Sequence, residues 1–219
     1  MRENKRNNRY YEIIAGTMYL ICMITSIGGG LLLDKIIGKE NLLQSLENNF
    51  STLVIATILE LINALGVLAI VISFYMLLRR MKPAMSKGYL FFKSLEGILC
   101  IGVSLLPILT FLYTNNLNQS VNQQNELLVH LLSYRTIFWA YVYPVVFISG
   151  GILLYSMLYM TRFLPRYIAI WGLLSLIGVF FAMFVPEIKM VPGIFIITNE
   201  IYLGFYLLFR KRSVNTIRL

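Results

Sequence analysis

The chain is short of charge, of cysteine and of histidine, and each shortage closes off a class of function. Only 13% of its 219 residues are Asp, Glu, Lys or Arg, about half the ~25% of a typical soluble domain. With 58% hydrophobic residues and a mean hydropathy of +0.73, it has too few polar groups to cover a water-facing surface, and it reads as a single polytopic membrane domain. Its two cysteines, Cys22 and Cys100, lie in apolar runs. They supply no disulfide framework and read as buried thiols. There is one histidine, His130, and no HExxH, CxxC, GxSxG or GxxxxGK[ST] pattern. No catalytic residue, metal site or cofactor is therefore expected.

What the chain does have is long apolar runs. They predict an all-α transmembrane bundle of six helices over 13–33, 51–78, 89–113, 134–160, 167–185 and 193–209. The segment 51–78 would rise about 42 Å as a helix, enough to cross a bilayer with some tilt. A basic stretch precedes the first run, but that run is long enough to span, so it reads as a retained helix rather than a cleaved signal. In the connector Asp34–Phe50, residues Leu42, Leu43 and Leu46 recur at helical spacing and suggest a short amphipathic piece on the outer surface. Thr114–Ser133 reads as a polar connector, rich in Asn and Gln and free of Lys and Arg.

The cations are unevenly distributed. Fourteen fall at the N-terminus, in two alternate loops and in the tail: Arg2, Lys5, Arg6, Arg9, Arg79, Arg80, Lys82, Lys87, Arg162, Arg166, Arg210, Lys211, Arg212 and Arg218. The other three loops hold Lys35, Lys39 and Lys189. By the positive-inside rule both termini are cytoplasmic. The net charge of +9 then serves topology and contact with anionic lipid rather than nucleic acid.

Ionisable groups inside apolar spans are costly, about 2.5–3.5 kcal/mol each at mid-bilayer, so they should turn from lipid and find partners. The candidate site residues are Glu60, Asn63, Glu96, Arg135 and Glu200, with Lys93 and Asn199 beside them. Glu60 and Asn63 share a helical face, as do Lys93 and Glu96. Depth along the spans predicts that Arg135 pairs with Glu60 or Glu200, and that Glu96 pairs with Lys93 or another partner on the cytoplasmic side. The second, third and sixth spans are expected to bring these groups together. Tyr10, Tyr11, Tyr89, Tyr113, Tyr134, Trp139, Tyr167 and Trp171 lie near span ends and read as interface anchors. Tyr141 and Tyr143 are deeper, beside Pro144. Gly28-Gly29-Gly30 suggests a close helix approach or a helix end. Asn49-Phe50-Ser51 and Asn118-Gln119-Ser120 match the glycosylation sequon, which matters only in a eukaryotic secretory host.

Several short segments resemble a bacterial membrane family classed as a domain of unknown function. Ile14-Ala15-Gly16-Thr17-Met18-Tyr19-Leu20 is similar to its I-A-G-x-x-Y-L start. Phe92-Lys93-Ser94-Leu95-Glu96 is similar to its F-R-x-x-E stretch, with lysine for arginine. Phe163-Leu164-Pro165-Arg166 followed by Gly172 resembles its L-P-R…G turn. Asn199-Glu200…Tyr206-Leu207-Leu208 resembles its closing E…W-L-L helix, with tyrosine for tryptophan. The resemblance implies a multi-pass bundle of the bacterial cytoplasmic membrane and supplies no activity.

Three functional readings follow. The leading one is a non-enzymatic protein whose polar intramembrane site serves transport or sensing of a small ion or ligand. The alternative is a structural or accessory protein that binds another membrane protein. The third is an intramembrane enzyme acting on lipid. A ligand site should show a hydrated cavity touching at least two of those glutamates, an accessory protein a dry, fully paired core and an apolar groove of small residues facing lipid, and a lipid enzyme a carboxylate or hydroxyl cluster open to one leaflet.

Overall fold

A computed structural model describes residues 2–37, 41–117, 120–188 and 190–210. Lys39, Lys189, Lys211, Arg212 and Arg218, the side chains of Arg2, Lys5 and Arg6, and the start of the Asn118-Gln119-Ser120 sequon lie outside what is described. Among the described residues there is no strand. The helices are α1 (Arg2–Ile37), α2 (Leu42–Asn48), α3 (Phe50–Leu78), α4 (Pro83–Asn115), α5 (Val121–Ile137), α6 (Tyr143–Thr161), α7 (Arg166–Ala182) and α8 (Met190–Phe209).

Five helical segments are long and apolar enough to cross a membrane: Asn8–Ile37, Phe50–Leu78, Pro83–Asn115, Val121–Thr161 and Met190–Phe209. A sixth apolar helix, Arg166–Ala182, is shorter at 17 residues, about 26 Å of rise. The chain thus has the make-up of a multi-pass membrane protein.

One connector differs from the sequence reading. Thr114–Ser133 is mostly helix, because α5 starts at Val121. The Ser120 N–H donates to the Gln123 side chain at 3.3 Å, closing the first turn as in a capping box. Leu128 and Leu132, one turn apart, are both buried, so an apolar stripe was present in a segment whose composition is polar. In α2, Leu42, Leu43 and Leu46 are buried against Leu33, Leu53, Phe111 and Leu128. Gln44, Glu47 and Asn48 are exposed, so the piece is amphipathic as its spacing suggested, and its apolar face plugs the end of the bundle.

Helices α5 and α6 form one continuous rod through a π-helical turn, Phe138–Val142. Pro144 follows at once. Proline has no N–H to donate and crowds the preceding turn, and a wider turn absorbs that misfit. The Tyr143 N–H accordingly bonds to the Phe138 carbonyl.

The six long helices close a circuit. In order, α1 packs on α3, α3 on α4, α4 on α6, α6 on α7, α7 on α8, and α8 back on α1. The closing contact is backbone against backbone. A Cβ on Gly16 would come within 2.8 Å of the Gly204 carbonyl oxygen, and one on Gly204 within 3.2 Å of that of Gly16. Only paired glycines allow so close a crossing. At the same end Arg9 donates to the Leu207 and Leu208 carbonyls at 2.8 and 2.5 Å. It thereby satisfies acceptors that the last turn of α8 leaves open. Arg210 likewise donates to the Phe163 carbonyl at 2.7 Å, where α6 ends in a left-handed Arg162 (φ 51°). The start of α1, the α6–α7 turn and the end of α8 therefore share one end, which also carries the cations, hereafter the basic end.

Candidate polar site inside the helix ring

The buried charges form two groups. The far group lies toward the α2 plug. Arg135 on α5 grips Glu60 on α3 with both nitrogens: Nη1 donates to Oε2 at 3.0 Å and Nη2 to Oε1. Nη1 also donates to the Val103 carbonyl at 3.1 Å. The availability of that acceptor follows from sequence. Pro107, four residues on within α4, lacks the N–H that would normally bond it. The guanidinium further lies 5.6 Å from the Trp139 ring, and Gly29 makes room for Glu60, since a Cβ there would fall 2.9 Å from its Cγ. Of the glycine triplet, Gly29 thus serves close approach, and α1 runs through all three unbroken. This group is closed: one cation, one anion, and the spare donor on an orphan carbonyl.

The central group is not closed. Lys93 donates to Glu96 Oε2 at 2.7 Å one turn along α4, and its ammonium lies 4.6 Å from the centre of the Phe147 ring. Its stem passes over Gly150 of α6, where a Cβ would fall 2.5 Å from Lys93 Cδ. Across the ring on α8, Glu200 is within electrostatic reach of Lys93 and Glu96. It makes no hydrogen bond or ion pair with any described residue. Glu200 itself is part-buried.

Tyrosines surround this group. The hydroxyls of Tyr19, Tyr89, Tyr143 and Tyr155 all lie within electrostatic reach of Glu200. Tyr155 donates to Asn199 Oδ1 at 2.7 Å, and Asn199 Nδ2 donates to the Ile168 carbonyl at 3.1 Å. That chain ties α6, α8 and α7 together and is complete. Tyr89 is fully buried, yet its hydroxyl has no partner among the described residues.

The predicted site residues therefore divide. Arg135 takes Glu60 rather than Glu200, and Glu96 takes Lys93. Asn63 joins neither group: its side chain is half-buried and unbonded, and only its carbonyl is used, by Cys22 Sγ at 3.4 Å. Helix α8 lies opposite α4 in the circuit, so Glu200 meets the α4 charges across the interior and not through helix contact. Cys22 and Cys100 are free and buried. Tyr89 departs from its expected role as an interface anchor. It precedes Lys93 by one turn and Glu96 by two, a spacing that would have placed it on the site face. Glu12 on α1 was also missed. It is fully buried and pairs with Arg9 at 3.3 Å. Tyr141 points outward and is exposed, while Tyr143 turns in and stacks on Phe147.

A family model described as a domain of unknown function, DUF4386, matches residues 14–210. The chain belongs to this family. No curated protein and no solved structure matches it. In this DUF4386 member the segments singled out for their family resemblance fall on structural joints. Gly16 is the α1–α8 crossing, Lys93 and Glu96 are a buried pair, Pro165 caps α7, and Glu200 is an acid without a hydrogen bond to any described residue.

Proposed function

We propose that this DUF4386 protein crosses the bacterial cytoplasmic membrane six times, with both termini inside, and holds a small ion or ligand at Glu200 and the Lys93–Glu96 pair. The orientation is supported by the shared basic end, where Arg9 and Arg210 cross-link the first, middle and last helices. The far end holds Lys35 among its described residues, beside Asp34, Glu47, Glu126 and Glu187. The site is supported by one observation above all: Glu200, within electrostatic reach of Lys93 and Glu96, makes no hydrogen bond with any described residue. An acid left unpaired inside a membrane protein is costly to keep, and it marks ion or substrate pathways. The Glu60–Arg135 pair sits between this group and the α2 plug, on the route to the far side.

Flux measurements on proteoliposomes holding the full chain test the reading, with H⁺, Na⁺ and K⁺ gradients imposed in turn. Wild-type protein should dissipate one of them and Glu200→Gln should not. Equal behaviour in all three would remove the site.

The second reading, an accessory protein that binds a helix of another membrane protein, draws on a groove of about 430 Å³ between α7 and α8. Its walls include Leu174, Ile188, Val191 and Phe195, and its floor Ser175 and Pro192. It is apolar, as a lipid-facing contact surface requires. The unpaired Glu200 has no place in that reading, which is why the first is preferred.

A further inference from the structure

The identity of the occupant can be argued from charge and ligand count, on the premise that the Glu200 site is the functional one. Lys93 and Glu96 cancel each other across 2.7 Å. An ionised Glu200 would leave one net negative charge in a low-dielectric interior with no donor on it, a state that buried carboxylates avoid. One positive unit restores neutrality. A divalent metal overshoots and needs about six to eight oxygens. Among the described residues no three Asp, Glu, His or Cys side chains are grouped to hold a metal. A monovalent metal ion would sit beside the Lys93 ammonium with few oxygens to replace its water: those of Glu200, the free oxygen of Glu96 and Tyr89 Oη. A proton needs no coordination shell, and the group it forms is uncharged.

Tyr89 supplies an independent sign. Its hydroxyl is sealed from solvent and unpartnered, with Glu96 and Glu200 as the carboxylates in its electrostatic reach. Buried hydroxyls almost always find a partner, in protein or in an ordered water. A water bridging the hydroxyl to Glu200 would provide one.

We propose that the occupant is a proton, carried on the Glu200 carboxyl group within electrostatic reach of the Lys93–Glu96 pair and the Tyr89 hydroxyl. In the loading step hydronium reaching Glu200 gives its proton to a carboxylate oxygen lone pair, leaving a neutral carboxylic acid and water; unloading is the reverse. The groups that set this exchange come from each neighbouring element. They are Tyr19 and Cys22 on α1, Tyr89, Lys93 and Glu96 on α4, and Tyr143 and Tyr155 on α6. The ionisable residues of helix α7 are Arg166 and Tyr167, both in its first turn. Arg9 and Glu12 lie about two turns toward the basic end.

Infrared difference spectroscopy of the full chain in lipid nanodiscs, between acid and alkaline buffer, tests this directly. The wild type should show the C=O stretch of a neutral carboxylic acid near neutral pH, and Glu200→Gln should lose it. Tyr89→Phe should shift the band, because a hydroxyl dipole within electrostatic reach of the acid is gone; this variant serves alone if Glu200→Gln does not fold. Replacing choline chloride by NaCl or KCl should leave the band unchanged. A band that persists in Glu200→Gln, or that is indifferent to Tyr89→Phe, overturns the assignment. A carboxylate band that follows Na⁺ or K⁺ and vanishes in Glu200→Gln overturns the proton while keeping an ion site. The absence of both signals removes the proton and the site together.

Discussion

The two buried charge groups are built from the same residue types and behave differently. At Glu60 and Arg135 a forked cation meets a forked anion, and proline has vacated a carbonyl for the remaining N–H. At the centre two carboxylates face one ammonium, and a tyrosine hydroxyl is left over. The far group is a staple that joins α3, α4 and α5. The central group is one positive charge short, and the deficit is where chemistry can enter. Composition alone would not separate them, since each contains glutamate and a basic residue. Donor and acceptor counts do.

Glutamate-to-glutamine substitution at each group is the strongest way to break this contrast. Glu60→Gln strands the Arg135 cation and should cost about 3–5 kcal/mol, as removing one partner of a buried pair does. The midpoint of denaturant unfolding in mild detergent measures it. The double variant Glu60→Leu/Arg135→Leu should recover most of the loss, and failure to do so would mean that the pair is more than a staple. Gly150→Ala comes next. It forces Lys93 off its path and should cost about 1–3 kcal/mol by overpacking, read in the same unfolding assay. Tyr155→Phe removes one donor from a complete chain and should cost about 1 kcal/mol. It should also speed backbone hydrogen exchange near Asn199. Smallest is Glu200→Gln, which should stay within about 0.5 kcal/mol of wild type while abolishing flux. A loss as large as that of Glu60→Gln would erase the distinction between the groups.

Much of this was legible in the sequence, and the reasons are local. Apolar runs located the long helices because every backbone group in a bilayer must be bonded internally. The Lys93–Glu96 spacing forecast their pairing because residues three apart on a helix are neighbours. Depth brought Arg135 to Glu60, but it could not choose between Glu60 and Glu200. That choice depends on Pro107 freeing a carbonyl on the intervening helix. Helix α5 was misread because its apolar residues are spread four apart in a segment dominated by Asn and Gln. Tyr89 was misread because a tyrosine near the end of an apolar run looks the same whether it faces headgroups or the interior. Asn63 was included for sharing a helical face, which brings a side chain near a site without supplying it a partner. The role of Gly150 was hidden altogether, since nothing in a sequence shows which stem a glycine must clear.

The contact of Gly16 with Gly204 joins two helices far apart in the chain. Until α8 has been made, α1 lacks this partner, and the charged interior must wait open within the lipid or under a chaperone's cover. Any stop codon before α8 would leave Lys93 and Glu96 facing an unfinished wall. Such a fragment would be a natural target for membrane proteases. Cellular quality control can thus read closure of the helix ring at a single seam.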